Sequence, residues 1–376
     1  MTPQKSFTAI PVMALALAVN AHAQEQVIRI GQTGPLTGAN AFAGKDNENG
    51  VRLAIEELNA KKLQVGGRTL KFDLHSEDDQ CDPKAGVAVA QKLVDAGIKY
   101  VMGPYCSGVA IPASRVYDSG GALVSTVGTN PKVTEGGYKH VFRIIASDNQ
   151  IGSSMAVYGA KVLGAKTAAV VDDRTAFGQG LADEFTKEAK AQGLDIVRQE
   201  YTNDKAVDFS AILTNIKAKK PDVIFYGGYA PQAAPMARQM KQLAVKAKML
   251  GGDTLCSPEM GKLGGDAVNE TVYCAQGGSM MDQGADRANF MARYKKRFGT
   301  DADAYAASFF DQMHLIAQSM VKAGSTEPAA VAAEMRKGQF KGVAGTYAYD
   351  DKGNMRQAPI TVYTFRDGKA SPLASY

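Results

Sequence analysis

The sequence is poor in the residues that most often do chemistry. Its 376 residues include only four cysteines and four histidines. His22 belongs to the leader described below, and His75, His140 and His314 show no metal-ligand spacing, so no metal is expected. Four cysteines are too few for a disulfide scaffold in a chain this long, although they suffice for two bridges. No GKS/GKT phosphate loop, HExxH zinc helix or GxSxG nucleophile elbow occurs. Gly178-Gln179-Gly180 lacks the third glycine or alanine of the dinucleotide fingerprint, Asp183 standing there instead, and reads as a helix-start turn. Cys106-Ser107 sits where a nucleophile sits in some enzymes, but no histidine neighbours it in sequence. Neither an enzyme nor a cofactor is therefore expected. Charge of one sign is also scarce. Forty-three Lys+Arg against 38 Asp+Glu gives +5, a mild excess and not a nucleic-acid footprint.

Long hydrophobic runs are missing as well. The longest early stretch, Ala9 to Val19, follows Lys5 and precedes Ala21-His22-Ala23, the small-x-small ending of a secretory signal peptide cut before Gln24. Eleven residues cannot cross about 30 Å of hydrocarbon, and no cysteine follows the cut to take a lipid. The mature chain is expected to be exported, soluble and monomeric, without membrane insertion. An oxidising compartment then allows disulfides. Three pairings of four cysteines are open. The local pairs Cys81 with Cys106 and Cys256 with Cys274 are expected, because each falls on loops flanking neighbouring strands.

What the sequence does have is 45% hydrophobic residues, 22% charged and only 14 prolines, the composition of a folded chain with a sizeable core. From Val27 short β-rich runs alternate with longer helical patterns. Strands are expected at 27–31, 70–75, 98–103 and 122–127, with helices over 45–60, 83–95 and 108–119. In the first helix Val51, Ala54, Ile55 and Leu58 share one face; in the second Asp82 is the cap and Pro83 the first residue. The pattern restarts with strands at 167–171, 195–200, 221–228 and 246–252, separated by helices over 180–192, 209–219 and 231–243. A strand at 271–276 and helices over 286–298, 302–323 and 328–337 follow. The tail offers GVAGTYAYD and PITVYTF, read as antiparallel strands about the turn 351–354. Two strand–helix runs imply an α/β fold of two Rossmann-like lobes, each a mostly parallel sheet flanked by helices.

Open α/β sheets bind ligands at the carboxyl ends of their strands, so two lobes would present two sets of loops to one central cleft. Ser107 combines a hydroxyl with the N–H groups of a helix start, a carboxylate cradle or simply an N-cap. Thr129, after Gly128, adds a second hydroxyl, or is only a turn residue. Tyr229 and Asp253 follow second-lobe strands ending in paired glycines, and an aromatic face with an acid suits an ammonium group.

Four stretches in order carry a resemblance: DDQCDPKAGVAVAQKLVDAGIKYVMGPYCSG (78–108), TVGTNPKVTEGGY (126–138), VVDDRTAFGQGLA (170–182) and VIFYGGYAPQ (223–232). They are similar to the leucine/isoleucine/valine-binding proteins, the periplasmic receptors of branched-chain amino acid ABC transporters, over about 27–365. The resemblance implies a type I periplasmic-binding fold with three hinge crossovers near 146–149, 274–278 and 349–353. One lobe would hold 24–147 and 277–350, the other 148–276 and 351–376. It implies that Ser107 and Thr129 hold the α-carboxylate, that the Val127 carbonyl and a second-lobe acid hold the α-ammonium, and that Tyr229 belongs to the site. Phe42, Tyr105, Phe177 and Tyr305 would wall or close over the side chain, and Cys81 with Cys106 matches the family disulfide. The partners implied are a free L-amino acid and, transiently, the permease subunits. Three features depart from the family: Asp253 stands where a glutamate is usual, Tyr105 where leucine binders carry a leucine, and the pair Cys256 and Cys274 is extra. Receptors of this fold for an amide, urea or aromatic acid, and a non-transport sensor, are the alternatives.

Overall fold

The computed structural model describes residues 24–277 and 284–375; the leader lies outside the described residues. The first sheet takes its strands from the first third of the chain: β1 (Glu25–Gly34), β2 (Gln64–Val65), β3 (Arg68–Asp78), β4 (Tyr100–Met102), β5 (Leu123–Thr126) and β6 (Val141–Arg143). Their order is β2-β3-β1-β4-β5-β6, parallel except for the short edge strand β2. The second sheet contains β7 (Thr167–Asp172), β8 (Asp195–Tyr201), β9 (Val223–Gly227), β10 (Lys248–Gly251) and β11 (Val272–Gly277). A two-stranded ribbon, β12 (Phe340–Lys341) with β13 (Thr346–Tyr347), precedes β14 (Ile360–Arg366) and β15 (Lys369–Ser375). The second sheet runs β15-β14-β11-β10-β9-β7-β8, with β14 and β15 antiparallel at one edge.

Strands β4 and β9 are buried at every residue, as expected where helices cover both faces of a parallel sheet. The helix Ala41–Lys61 buries Val51, Ala54, Ile55 and Leu58 on one face and packs on β3 and on the helix Ala306–Ala323. Asp82 caps the helix Pro83–Asp95, accepting from the N–H groups of Lys84 (2.9 Å) and Ala85 (2.8 Å). Disulfides join Cys81 to Cys106 and Cys256 to Cys274, each with a Cα–Cα distance of 5.5 Å.

Three expectations change. GVAGTYAYD and PITVYTF do not pair with each other: β13 joins the small ribbon, β14 joins β11 and β15, and only Tyr349 and Met355 bridge across the turn. The chain changes lobes there, and alternation signals strands without naming their partners. Gly178 and Gly180 lie inside the helix Ala176–Ala191, whose cap is Thr175, not in a turn before it. A Cβ on Gly178 would come within 2.1 Å of Asp173 Oδ1 and 2.5 Å of the Gly227 carbonyl, so glycine is required for close packing of helix on strand. The strands β6 and β15 have no counterpart in the sequence reading.

The chain passes between the lobes three times, after β6, after β11 and before β14. The last passage holds Gly353 at φ +83°, where a Cβ would meet the Val141 carbonyl at 2.0 Å. Loop ends of both sheets face one another between these passages.

Candidate functional site

In the first lobe β4 leads to Cys106, the N-cap of the helix Ser107–Ser119. Ser107 is thus the first helical residue, not the cap expected on local grounds. Its hydroxyl oxygen accepts the Asn130 N–H at 3.2 Å, which leaves its proton available to an acceptor in the cleft, beside the positive end of the helix. At the end of β5, the Thr126 hydroxyl donates to the Pro104 carbonyl (2.7 Å) and accepts the Gly128 N–H (3.0 Å). That shapes the loop carrying Thr129. Ser107 and Thr129 are 1% and 2% exposed.

In the second lobe Tyr229 follows β9 at the N-cap of the helix Ala230–Gln242. Asp253 opens a single 3₁₀ turn, Asp253–Cys256, after β10. The turn is tied down by the Thr254 hydroxyl on the Gly228 carbonyl (2.7 Å) and by the Cys256–Cys274 bridge. Asp253 is 2% exposed. Its Oδ2 accepts from the Tyr305 hydroxyl, which comes from the opposite lobe, and its Oδ1 has no well-formed hydrogen bond, although the N–H groups of Asp253 and Thr254 favour the charged form. Burial pushes its pKa up to about 6, against the opposing effect of the Tyr305 bond. Burial, with Asp253 adding to it, holds the Tyr305 hydroxyl well above the ordinary tyrosine range.

Tyr105, Ser107, Val127, Thr129, Phe177, Tyr229, Asp253 and Tyr305 line one cavity of about 10 Å³. The ring centroid of Tyr105 lies 6.0 Å from that of Tyr229 and 6.1 Å from that of Tyr305, and Phe177 lies 5.0 Å from Tyr229. Two expected residues stand apart. Phe42 packs on the core near the start of its helix, and the Gly128 carbonyl accepts from Arg143. Thr254 lines the cavity and was not anticipated, although its place beside Asp253 at a strand end was a usable signal. Asp148, also missed, is fully buried, and neither of its carboxylate oxygens has a well-formed hydrogen bond. Burial pushes its pKa up to about 8, while the side chains of Thr129 and Arg143 favour the charged form. A larger cavity of about 550 Å³ borders the crossovers at Ile144, Gly277 and Met355, but contains neither the paired hydroxyls nor a buried acid.

A cleft with hydroxyl donors on one lobe and an acid on the other is arranged to hold a ligand between them. Residues 27–370 match the periplasmic binding protein family. The chain belongs to that family. Within it the likeness is to the Leu/Ile/Val-binding proteins. Over 368 residues the sequence is 34% identical to Leu/Ile/Val-binding protein BraC3 of Rhizobium johnstonii, covering 97% of this chain and 98% of that one. It is 31% identical over 352 residues to the leucine-, isoleucine-, valine-, threonine- and alanine-binding protein of Pseudomonas aeruginosa, covering 93% of each. The fold superposes on the leucine-binding protein LivK of Thermotoga maritima with a TM-score of 0.85 and 26% identity, covering 93% and 98% of the two chains. The binding protein is therefore a periplasmic solute receptor that delivers its ligand to the permease of an ABC transporter. Its work is capture and release, not catalysis.

Proposed function

We propose that the cleft binds an aliphatic or branched-chain L-amino acid as its zwitterion. Ser107, Thr129 and the helix start beside them take the carboxylate, and Gly128 lets the backbone come close. The Val127 carbonyl and Asp253 take the ammonium. Tyr105, Phe177, Tyr229 and Tyr305 enclose the side chain, with Phe42 closing over the entrance. The lobes divide as 24–147 with 277–350 and 148–276 with 351–376, and they rotate about the crossovers.

The observation that carries this reading is Asp253: a buried acid with one oxygen lacking a well-formed hydrogen bond, sharing a cavity with two hydroxyls from the other lobe. A purely anionic solute would set an unpaired carboxylate beside it, which is costly in a closed site. The relatives' recorded ligands support the same class. A space of about 10 Å³ has no room for an amino acid, so entry requires the lobes to part or the rings to swing. The test is calorimetric titration of the ligand-stripped protein with L-leucine, L-valine, L-alanine and L-phenylalanine, beside their des-amino acids and amides. Tight binding of one amino acid that is lost with either its amine or its carboxylate is the expected result. Equal binding of the des-amino acid would transfer the function to another small solute.

A further inference from the structure

Arg143 ends β6 and is 2% exposed. So deep a guanidinium needs acceptors for its N–H groups. It finds them on both sides of a junction. Nη1 donates to three consecutive carbonyls, those of Gly128, Thr129 and Asn130, the last at 2.8 Å. Nη2 donates to Asn354 Oδ1 (2.9 Å) and to the Thr134 hydroxyl (2.7 Å), and Nε to the same Asn354 oxygen (3.1 Å). The Arg143 N–H donates to the Gly353 carbonyl at 2.8 Å.

Gathering three carbonyls on one guanidinium orients three successive peptide planes. In trans peptides the N–H points away from its own carbonyl, so the N–H groups of Thr129 and Asn130 turn from Arg143. The Asn130 N–H then reaches Ser107. Asn354 is held in turn by Asp350, which accepts its N–H at 2.8 Å, within the turn of the third crossover. It does not line the ligand cavity.

We propose that Arg143 is a positioning residue that ties the third crossover to the loop bearing Thr129, so that ligand affinity depends on Asn354 across this link. The proposal rests on the reading of Thr129 as a carboxylate contact. Movement of the crossover is then felt at the site, which makes hinge rotation and the aim of Thr129 one event.

The test is a double-mutant cycle in the exported full chain, with L-leucine as the calorimetric probe and hydrogen exchange as a second readout. Asn354→Ala should weaken L-leucine binding about tenfold, and in a Thr129→Ala background that loss should shrink to about twofold, because the two changes act through one contact. Exchange of the backbone amides of residues 127–130 should rise about tenfold in N354A, with β9 unchanged. Arg143→Lys, which keeps the charge but not the planar fork, should give the same exchange pattern, and Asn354→Ser replaces N354A if the latter fails to fold. Additive losses in the cycle, or unchanged exchange in the loop, would overturn the link. Exchange needs no ligand. Should no amino acid bind, the functional reading falls and the loop's exchange alone decides the coupling.

Discussion

Asp253 is where charge, burial and binding meet. Replacing it with asparagine keeps its size and removes its charge, and facing an ammonium in a dry cleft this should cost roughly 2 to 5 kcal/mol, about thirtyfold or more in affinity. Ser107→Ala should cost less, on the order of 1 to 3 kcal/mol, since the helix N–H groups remain to hold the carboxylate. Both are read by the same titration. The pKa of Asp253 near 6 adds a pH signature. Below it the acid is increasingly neutral and its pull on an ammonium fades, so affinity should fall as pH drops from 7 to 5, by at most about tenfold per pH unit, and D253N should abolish that slope. Asp148 makes the opposite case for stability. Its folded pKa of about 8 lies above the ordinary 3.8, so the protonated form is favoured in the fold. Its contribution is intact below the ordinary value and is lost as pH rises toward 8. The gain in melting temperature from Asp148→Asn should therefore grow from pH 4 to 8 and level off above. A constant gain across that range would show that Asp148 does not titrate as described.

At the scale of elements, the lesson is how closely helices are laid on strands and how the loops are stapled. Gly178→Ala adds a methyl where Asp173 and the Gly227 carbonyl already stand, and should destabilise by about 1 to 3 kcal/mol in denaturant unfolding. A change under a few tenths would mean that the helix shifts freely. The two disulfides close loops spanning 25 and 18 residues of sequence. Each should contribute roughly 3 kcal/mol in the chain-entropy model. Peptide mapping without reductant should find Cys81 bonded to Cys106 and Cys256 to Cys274; a free Cys106 or Cys256 would refute that pairing. The second bridge anchors the turn that presents Asp253, so reduction should weaken binding as well as stability.

On the scale of the whole molecule, hydrogen bonds already run directly from lobe to lobe. Asn130 donates to the Ala176 carbonyl (2.8 Å), Ser257 to Asp303 (2.8 Å) and Tyr305 to Asp253. A ligand that bridges the same faces favours the closed arrangement by its differential contacts. Small-angle scattering should show a smaller radius of gyration at saturation than in the ligand-stripped protein, by hinge rotation about the crossovers. Identical profiles at verified occupancy would rule out capture by closure.

The sequence by itself determined the element order and the likeness to a receptor family, because period, capping and strand-end chemistry are local properties. The helix Pro83–Asp95 begins and ends where Asp82, Pro83 and the apolar pattern place it. Ser107, Thr129, Tyr229 and Asp253 were visible as strand-end residues of the right chemistry, and the four cysteines as two local pairs. What lay beyond the sequence depends on which distant segments touch. The tail strands entered different sheets because strand partners are long-range choices. Phe42 and Gly128 fell outside the cavity lining while Thr254 joined it, since a side chain's exposure to a cleft depends on facing elements as much as on its own. Asp148, Arg143 and Asn354 could not be singled out at all. Their importance comes from burial and from hydrogen bonds between residues up to 220 positions apart, and only the folded chain brings those together.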